Sequence, residues 1–527
     1  MKSIFLFSLA SFFAFVSAPA GELQLELRSQ VETEPGSGRY HSITRPVTWE
    51  AGKTAVVVCD MWDDHYCRNA ARRVAEMAPR MNRVLAAARK QGALIIHCPS
   101  GCMDRYEGTP QRKLAKEAPE VKTEVPLESW CYLDASAEPP MPVKIDQPCD
   151  DTGELRERKR FYTRQIDTLE IAEGDAITDS AEAYYLMKER GIENVVILGV
   201  HTNMCVLGRA FGIRQMVRLG QNVVLMRDMT DSMYNPREEP FVSQFTGNDL
   251  VFSHIERHWC PTVTSDQVLP DESEPFRFPG DDRKHLVIVT GEKEYETKRT
   301  LPAFAYKELG MDFKISLVFA DEEKRNHFPG LGVLRDAELL LLSVRRRNPT
   351  PEQMALFREY LDAGKPLVGI RTASHPFHQR ERETAPESLT EWRDFDPDIL
   401  GGNYHGHLGG RLPTFAKANG EASTHPVLEG IDSRRFQVFG GLYQVRPLGK
   451  GTTVLLTGSA RGEKETEPVA WTHTSPAGGR VFYTSLGHPY DFEVTNFRTL
   501  LRNAVYWAAG LVPEKPAGAA DPLDDDC

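Results

Sequence analysis

The stretch Gly199-Val200-His201-Thr202-Asn203-Met204-Cys205-Val206 places a thiol just past an apolar run at residues 194–198. A second stretch, Val56-Val57-Val58-Cys59-Asp60-Met61-Trp62, puts a carboxylate directly after another apolar run. A thiol near a helix N-terminus feels the positive end of the helix dipole, which favours thiolate. A carboxylate close by can take the thiol proton and return it to a leaving group. Together the two make a workable acyl-transfer pair. Three readings of Cys205 remain open on residues alone: nucleophile, half of a disulfide, or buried core thiol. Asp60 reads as a proton carrier or as a helix cap, and Trp62, His65 and Tyr66 as pocket lining or as ordinary packing.

The elements that must position these groups follow a strand-then-helix rhythm. Residues 55–59 read as a buried strand, 72–91 as a helix with Val74, Met77, Met81, Val84 and Leu85 on one face, and 93–97 as the next strand. Residues 102–160 are polar and Pro-rich, which predicts a long excursion with one short helix near Gln111. Residues 160–166 are expected to resume the sheet. A helix over 179–190, the strand at 194–198 and a helix reaching Leu219 then set the Cys205 turn. Alternating elements of this kind predict a doubly wound, mostly parallel α/β sheet, whose ligands bind beyond the carboxyl ends of the strands. After an acidic, Pro-rich segment at 270–284 the rhythm restarts, with strands at 285–290, 313–319, 337–344 and 366–370. Thr350 and Pro351 open a helix that Gly364 closes.

The chain has 527 residues, enough for two or three domains, and a net charge of −12, which argues against a general nucleic-acid binder. Lys2, the apolar run 4–16 and Ala18-Pro19-Ala20 have the form of a signal peptide, with cleavage expected after Ala20; an uncleaved anchor is the alternative. The expectation is a secreted or periplasmic protein with no membrane association after signal removal. Nine cysteines, an odd count, leave at least one thiol unpaired within the chain, and no CxxC pair suggests a zinc ribbon. The organisation read from sequence is a signal peptide at 1–20, a β extension at 21–50, a first domain at 51–270, a linker at 271–283, a second domain at 284–511 and a disordered tail at 512–527.

The first domain resembles the isochorismatase-like cysteine hydrolases. Gly199, Val200, Thr202, Cys205 and Val206 match their nucleophile motif, G-V-x-T-x-x-C-V, and "CDMW" resembles the strand end that carries their acid. The resemblance implies a three-layer α/β/α fold and an Asp-Lys-Cys triad with Asp60 and Cys205 in the outer roles. It also implies a cis peptide at Val200-His201 and backbone N–H groups of His201 and Cys205 facing an oxyanion. Trp62, His65 and Thr202 are the expected substrate contacts. The chain departs from the family at the lysine. Arg164 in "RFYTRQI" is the nearest cation, and a guanidinium can stabilise charge but cannot carry a proton. The D-x-H metal motif is also missing from "HCPSGCMD", so no metal and no cofactor are expected.

The second domain, at "GKPLVGIRTASHPF", has the form of a glutamine-amidotransferase elbow with Arg371 where the cysteine would stand. It better resembles the ThuA-like (trehalose-utilisation) family, with a flavodoxin-type α/β fold, on "LGGNYHGH", "THPVLEGI", "PVAWTHTSPAGGRVFYTSLGHPYDF" and "LLRNAVYWAAG". That resemblance implies a sugar-related role. Arg371, His375, His407, Trp471 and His488 are the ligand candidates, an aromatic face and imidazoles being suited to a sugar ring. The run Arg345-Arg346-Arg347 could hold an anionic group. "FGGLY" stands where many relatives carry D-E-x-Y. The leading expectation is an exported cysteine hydrolase acting on a small amide, carbamoyl or related substrate, with a sugar or sugar derivative at the second domain. The competing one is a carbohydrate-related binding protein of little or no catalytic power. Self-association is compatible with either.

Overall fold

The computed structural model describes residues 21–379, 386–408, 414–432, 434–461 and 466–512. The leader read at 1–20, Cys527 and all of the tail beyond Val512 lie outside the described residues. The first half contains β1 (Glu22–Glu32), β2 (Tyr40–Glu50), β3 (Thr54–Cys59), α1 (Arg68–Gln91), β4 (Leu94–Cys98), α2 (Pro110–Lys116), β5 (Ala176–Ile177) and α3 (Glu182–Glu189). It continues with β6 (Asn194–Val200), α4 (Ile213–Arg218), β7 (Asn222–Asp231), α5 (Gln244–His258) and β8 (Thr262–Val263).

These strands form one sheet in the order β2-β1-β8-β7-β6-β3-β4-β5. The run from β8 to β5 is parallel, and the β1–β2 hairpin joins it antiparallel. Strands β3 and β6 are buried at every position and mostly apolar because both faces are covered. Ala55, Val57 and Cys59 pack against Ala183, Leu186 and Met187 on one side. Val56 and Val58 pack against Val74, Met77, Met81 and Leu85 of α1 on the other. Gly92 ends α1 in the left-handed conformation, its N–H bonding Ala88 and Arg89 carbonyls. One expectation fails. Residues 160–166 are not a strand; they run as coil with a single bridge, Trp62 to Gln165, and the outermost parallel strand is β5. The Pro and polar content upstream leaves residues 117–175 without helix or strand.

The second half contains β9 (Lys284–Gly291), α6 (Thr297–Leu309), β10 (Phe313–Phe319), β11 (Leu339–Val344), α7 (Pro351–Asp362) and β12 (Leu367–Ile370). Then come β13 (Gly406–Leu408), β14 (Thr414–Ala418), β15 (Phe436–Val438), β16 (Leu442–Gln444), β17 (Thr453–Ala460), β18 (Thr466–Thr474), β19 (Arg480–Thr484) and α8 (Thr495–Ala509). Its sheet runs β10-β9-β11-β12-β19-β18-β17-β14-β15. From β10 to β19 the pairs are parallel, as the strand–helix rhythm predicts; from β19 to β15 they are antiparallel, an extension the sequence reading does not anticipate. The Thr350 side chain accepts from the Gln353 N–H at the start of α7, with Pro351 in the first turn.

The segment read as a linker packs on the first domain. Phe276 and Phe278 lie against Phe245, and Arg283 pairs with Asp249 of α5 at 2.9 Å. The Ser243 N–H also donates to Gly310 of the second half at 3.1 Å.

Close approach of β6 to β3 demands glycine at 199, where φ is +101° and a Cβ would lie 2.0 Å from the Cys59 carbonyl oxygen. Gly199→Ala is therefore expected to cost on the order of 4 kcal/mol or more. Thermal denaturation should show a large drop in Tm for Gly199→Ala and none for Gly420→Ala, whose Cβ would enter open space.

Candidate active site

Asp60 follows β3 and Cys205 follows β6, the adjacent parallel strand, so the two emerge side by side at the carboxyl end of the first sheet. Asp60 is fully buried with φ +49°. Its Oδ1 accepts the Ser100 N–H at 2.7 Å, and its own N–H donates to the Cys98 carbonyl at 3.0 Å. Its Oδ2 faces Arg209 Nε at 3.5 Å. Cys205 lies in the short turn Thr202–Val206, and the peptide Val200-His201 is cis, as the family resemblance implies.

The cation at this pair is Arg209, not Arg164. The Arg164 guanidinium lies at the surface on Asp167 at 2.7 Å and Asp63 at 3.4 Å, because the coil that carries it replaces the expected strand. Arg209 is one helical turn beyond Cys205, its N–H donating to the Cys205 carbonyl at 3.0 Å. Its guanidinium lies over Trp130, 5.4 Å from the ring centroid. Residues four apart share a face of a helical turn, so the cysteine-to-arginine spacing in "CVLGR" was a readable signal that the sequence reading missed.

The electrostatics also differ from the expected helix-dipole activation. The next α-helix starts only at Ile213, and the thiol is pushed up, not down. Burial raises it most and the Asp60 charge raises it further, while Arg209 pulls it back. Burial likewise raises the Asp60 carboxyl, against the pull of Arg209. Burial opposes the Arg209 charge, but Asp60 and Cys205 more than compensate. The site sets a thiol raised by burial and by the Asp60 charge beside a carboxyl also raised by burial, with the Arg209 guanidinium pulling both down.

Trp62 is buried, stacks on Tyr162 at 4.2 Å and donates from Nε1 to the Ser100 carbonyl at 3.2 Å. His65 sits 5.0 Å from the His201 ring, and burial lowers its pKa to about 4, so it is neutral at physiological pH. Thr202 is not positioned as a substrate contact: its hydroxyl is buried against Thr230 Oγ1 at 2.7 Å, and Thr230 in turn bonds the Gly199 carbonyl. His97 has both ring nitrogens engaged, by Gln165 at 3.0 Å and Asp175 at 3.2 Å. The eight described cysteines are unpaired.

In the second half, Arg371 takes φ +45° just after β12, where its guanidinium is fully buried between Tyr295 (4.2 Å) and Tyr443 (4.6 Å). It donates to the Ser485 carbonyl and to the Tyr295 hydroxyl. Glycine in "FGGLY" has a steric reason: a Cβ on Gly440 would lie 2.6 Å from the Arg371 guanidinium. His375 stacks on Tyr404 at 4.5 Å, Tyr404 meets Tyr443 at 4.6 Å, His407 is 6.4 Å from Tyr443 and His488 is 6.2 Å from Tyr295. Four of the five expected ligand residues are thus joined through three tyrosines that the sequence reading did not select. Trp471 is not among them; it is fully buried, donates to the Leu400 carbonyl at 2.7 Å and packs on Tyr483. The basic run divides: Arg345 pairs with Glu294 at 2.9 Å, the Arg346 N–H bonds the His375 carbonyl, and Arg347 is buried, its pKa lowered to about 10 by that burial.

Residues 284–508 match the protein family described as ThuA, trehalose utilisation. Among curated proteins, no sequence matches the chain. Among solved structures, a ThuA-like protein from Bacteroides uniformis ATCC 8492 is similar at 19% identity and TM-score 0.34, over 45% of this chain and 95% of that one. A cysteine hydrolase from Pseudomonas syringae pv. phaseolicola 1448A is similar at 18% identity and TM-score 0.28, over 42% and 93%. An isochorismatase from Pseudomonas putida KT2440 is similar at 14% identity and TM-score 0.20, over 34% and 72%. Likenesses at these scores carry no functional weight.

The charges around Cys205 have opposite signs of effect, which alkylation at neutral pH can read. Arg209→Ala should slow iodoacetamide labelling of Cys205 by about tenfold, the effect of roughly one pKa unit, and shift its pH profile upward. Asp60→Asn should speed labelling, since an anion that raises the thiol is gone. Arg164→Ala should change neither the rate nor the pH profile.

Proposed function

We propose that the first domain is a cysteine hydrolase of the isochorismatase-like type, acting on a small amide, carbamoyl or related C–N substrate. The observation that carries this is the meeting of Asp60, Arg209 and Cys205 at the carboxyl end of the first sheet, beside Trp62 and His65. In this reading Cys205 Sγ attacks the carbonyl carbon while its proton passes to Asp60. The carbonyl oxygen becomes an oxyanion facing the His201 and Cys205 N–H groups. Asp60 returns the proton to the leaving nitrogen as the C–N bond breaks, leaving a thioester. Asp60 then takes a proton from water, the hydroxide adds to the thioester, and the thiol is regenerated. Arg209 keeps its charge throughout and stabilises whichever partner is anionic; it carries no proton. Burial raises both the thiol and the carboxyl, and Arg209 pulls both back down.

A second reading is a binding protein for a carbohydrate-related ligand. It draws on the second-half aromatic cluster, where Tyr404 and Tyr443 lie beside His375 and His407. Export to the periplasm or beyond belongs to either reading.

Ammonia release from a panel of small amides and carbamoyl compounds tests the first reading. Turnover should appear in the parent, and fall at least 10³-fold in Cys205→Ser and Asp60→Asn, while Arg209→Lys keeps part of it. Absence of turnover across the panel, together with saturable binding of sugars lost in Tyr404→Ala, would favour the second.

A further inference from the structure

A different cluster lies behind the candidate active site. Cys67 Sγ, Cys149 Sγ and a carboxylate oxygen of Asp151 lie within 4.8 Å of one another, all three residues buried. Cys67 Sγ is 3.2 Å from Asp150 Oδ1 and 3.4 Å from Asp151 Oδ1. We propose that Cys67, Cys149 and Asp151 bind a borderline-soft divalent cation of the zinc type, which ties residues 149–151 to the start of α1.

The donor types decide the class of ion. Two sulfurs and one carboxylate form a set that zinc accepts and that calcium or magnesium, which take oxygen ligands, does not. The sulfur of Cys67 points at carboxylate oxygens, so the arrangement is a mixed sulfur–oxygen shell. Binding exchanges two S–H bonds for two S–metal bonds and releases both protons to solvent. Each thiolate then faces a cation in place of a bare carboxylate.

The surroundings hold the donors in place. The Asp151 carboxylate accepts the Arg68 N–H at 2.9 Å and the Asn69 N–H at 2.8 Å, so it is oriented by the first turn of α1. Its Oδ2 keeps a lone pair, and Oδ1 regains one when Cys67 loses its proton to the metal. Arg73 takes up the neighbouring charge, pairing with Asp150 at 2.7 Å and Asp231 at 2.8 Å. Arg237 grips the Cys149 and Asp151 carbonyls at 3.4 and 3.1 Å. The need for a tie is evident upstream and downstream, since residues 117–175 hold no helix or strand of their own and long structureless segments need fixed points. Tyr66 and Met204, neighbours of His65 and Cys205 in the chain, pack on this cluster, so the tie also steadies the segments that carry those two residues.

The test is zinc content and affinity of the full chain. After dialysis against metal-free buffer and titration with Zn²⁺, elemental analysis should find about one tightly held zinc per chain. Cobalt substitution should give a thiolate-to-metal charge-transfer band. Cys67→Ser and Cys149→Ser should each weaken binding by ten- to a hundredfold or more, with Cys149→His retaining part of it as a ligand-competent control for folding. Cys205→Ser should bind as the parent does. The proposal is overturned if the parent binds no zinc, if the two serine variants bind as tightly as the parent, or if peptide mapping without reductant finds Cys67 and Cys149 joined as a disulfide.

Discussion

A carboxylate sealed from water needs a cation, and that constraint organises the first domain. Asp60 has no exposed surface and meets Arg209 and the Ser100 N–H. At 3.5 Å the Coulomb attraction alone is on the order of 4 kcal/mol at an effective dielectric of about 20. That attraction opposes the desolvation of Asp60, which still leaves its carboxyl raised. Three separate segments converge to make it: the end of β3 brings Asp60, the turn after β4 brings Ser100, and the turn after β6 brings Cys205 with Arg209.

Burial holds the thiol up, and the same pair then adjusts it. A catalytic cysteine is often activated by a cation alone, whereas here an anion and a cation act on one sulfur with opposing sign. The anion is the stronger of the two, and burial outweighs both, so the thiol is raised.

The second domain solves the problem of a buried charge differently. Arg371 has no carboxylate partner among the described residues; two tyrosine faces and the Ser485 carbonyl hold it. The quadrupole of each ring offers partial negative charge to the guanidinium. The arginine thereby fixes Tyr295 and Tyr443, and through Tyr404 the rings line up toward His375. Arg371 thus organises a partly buried aromatic cluster just after β12.

Local pattern was enough to place the parallel strands of both α/β sheets, the turn that presents Cys205, the strand end that presents Asp60 and the cap of α7. Each depends on periodicity or on residues a few positions apart, and these are written in the chain itself. Tertiary structure decided the rest. Arg164 and Arg209 are equally cationic in sequence, and only the path of residues 160–166, coil and not strand, sends the first to the surface and leaves the second beside Asp60. Thr202 looks available until Thr230, from the next strand, takes its hydroxyl. Trp471 looks like a sugar platform until β18 turns it into the core. Cys67 and Cys149 are far apart in the chain and meet because Asp151 caps α1. A side chain's type is fixed by sequence, but whether it meets solvent, a ligand or another side chain is set by contacts between distant segments, and no local period encodes those.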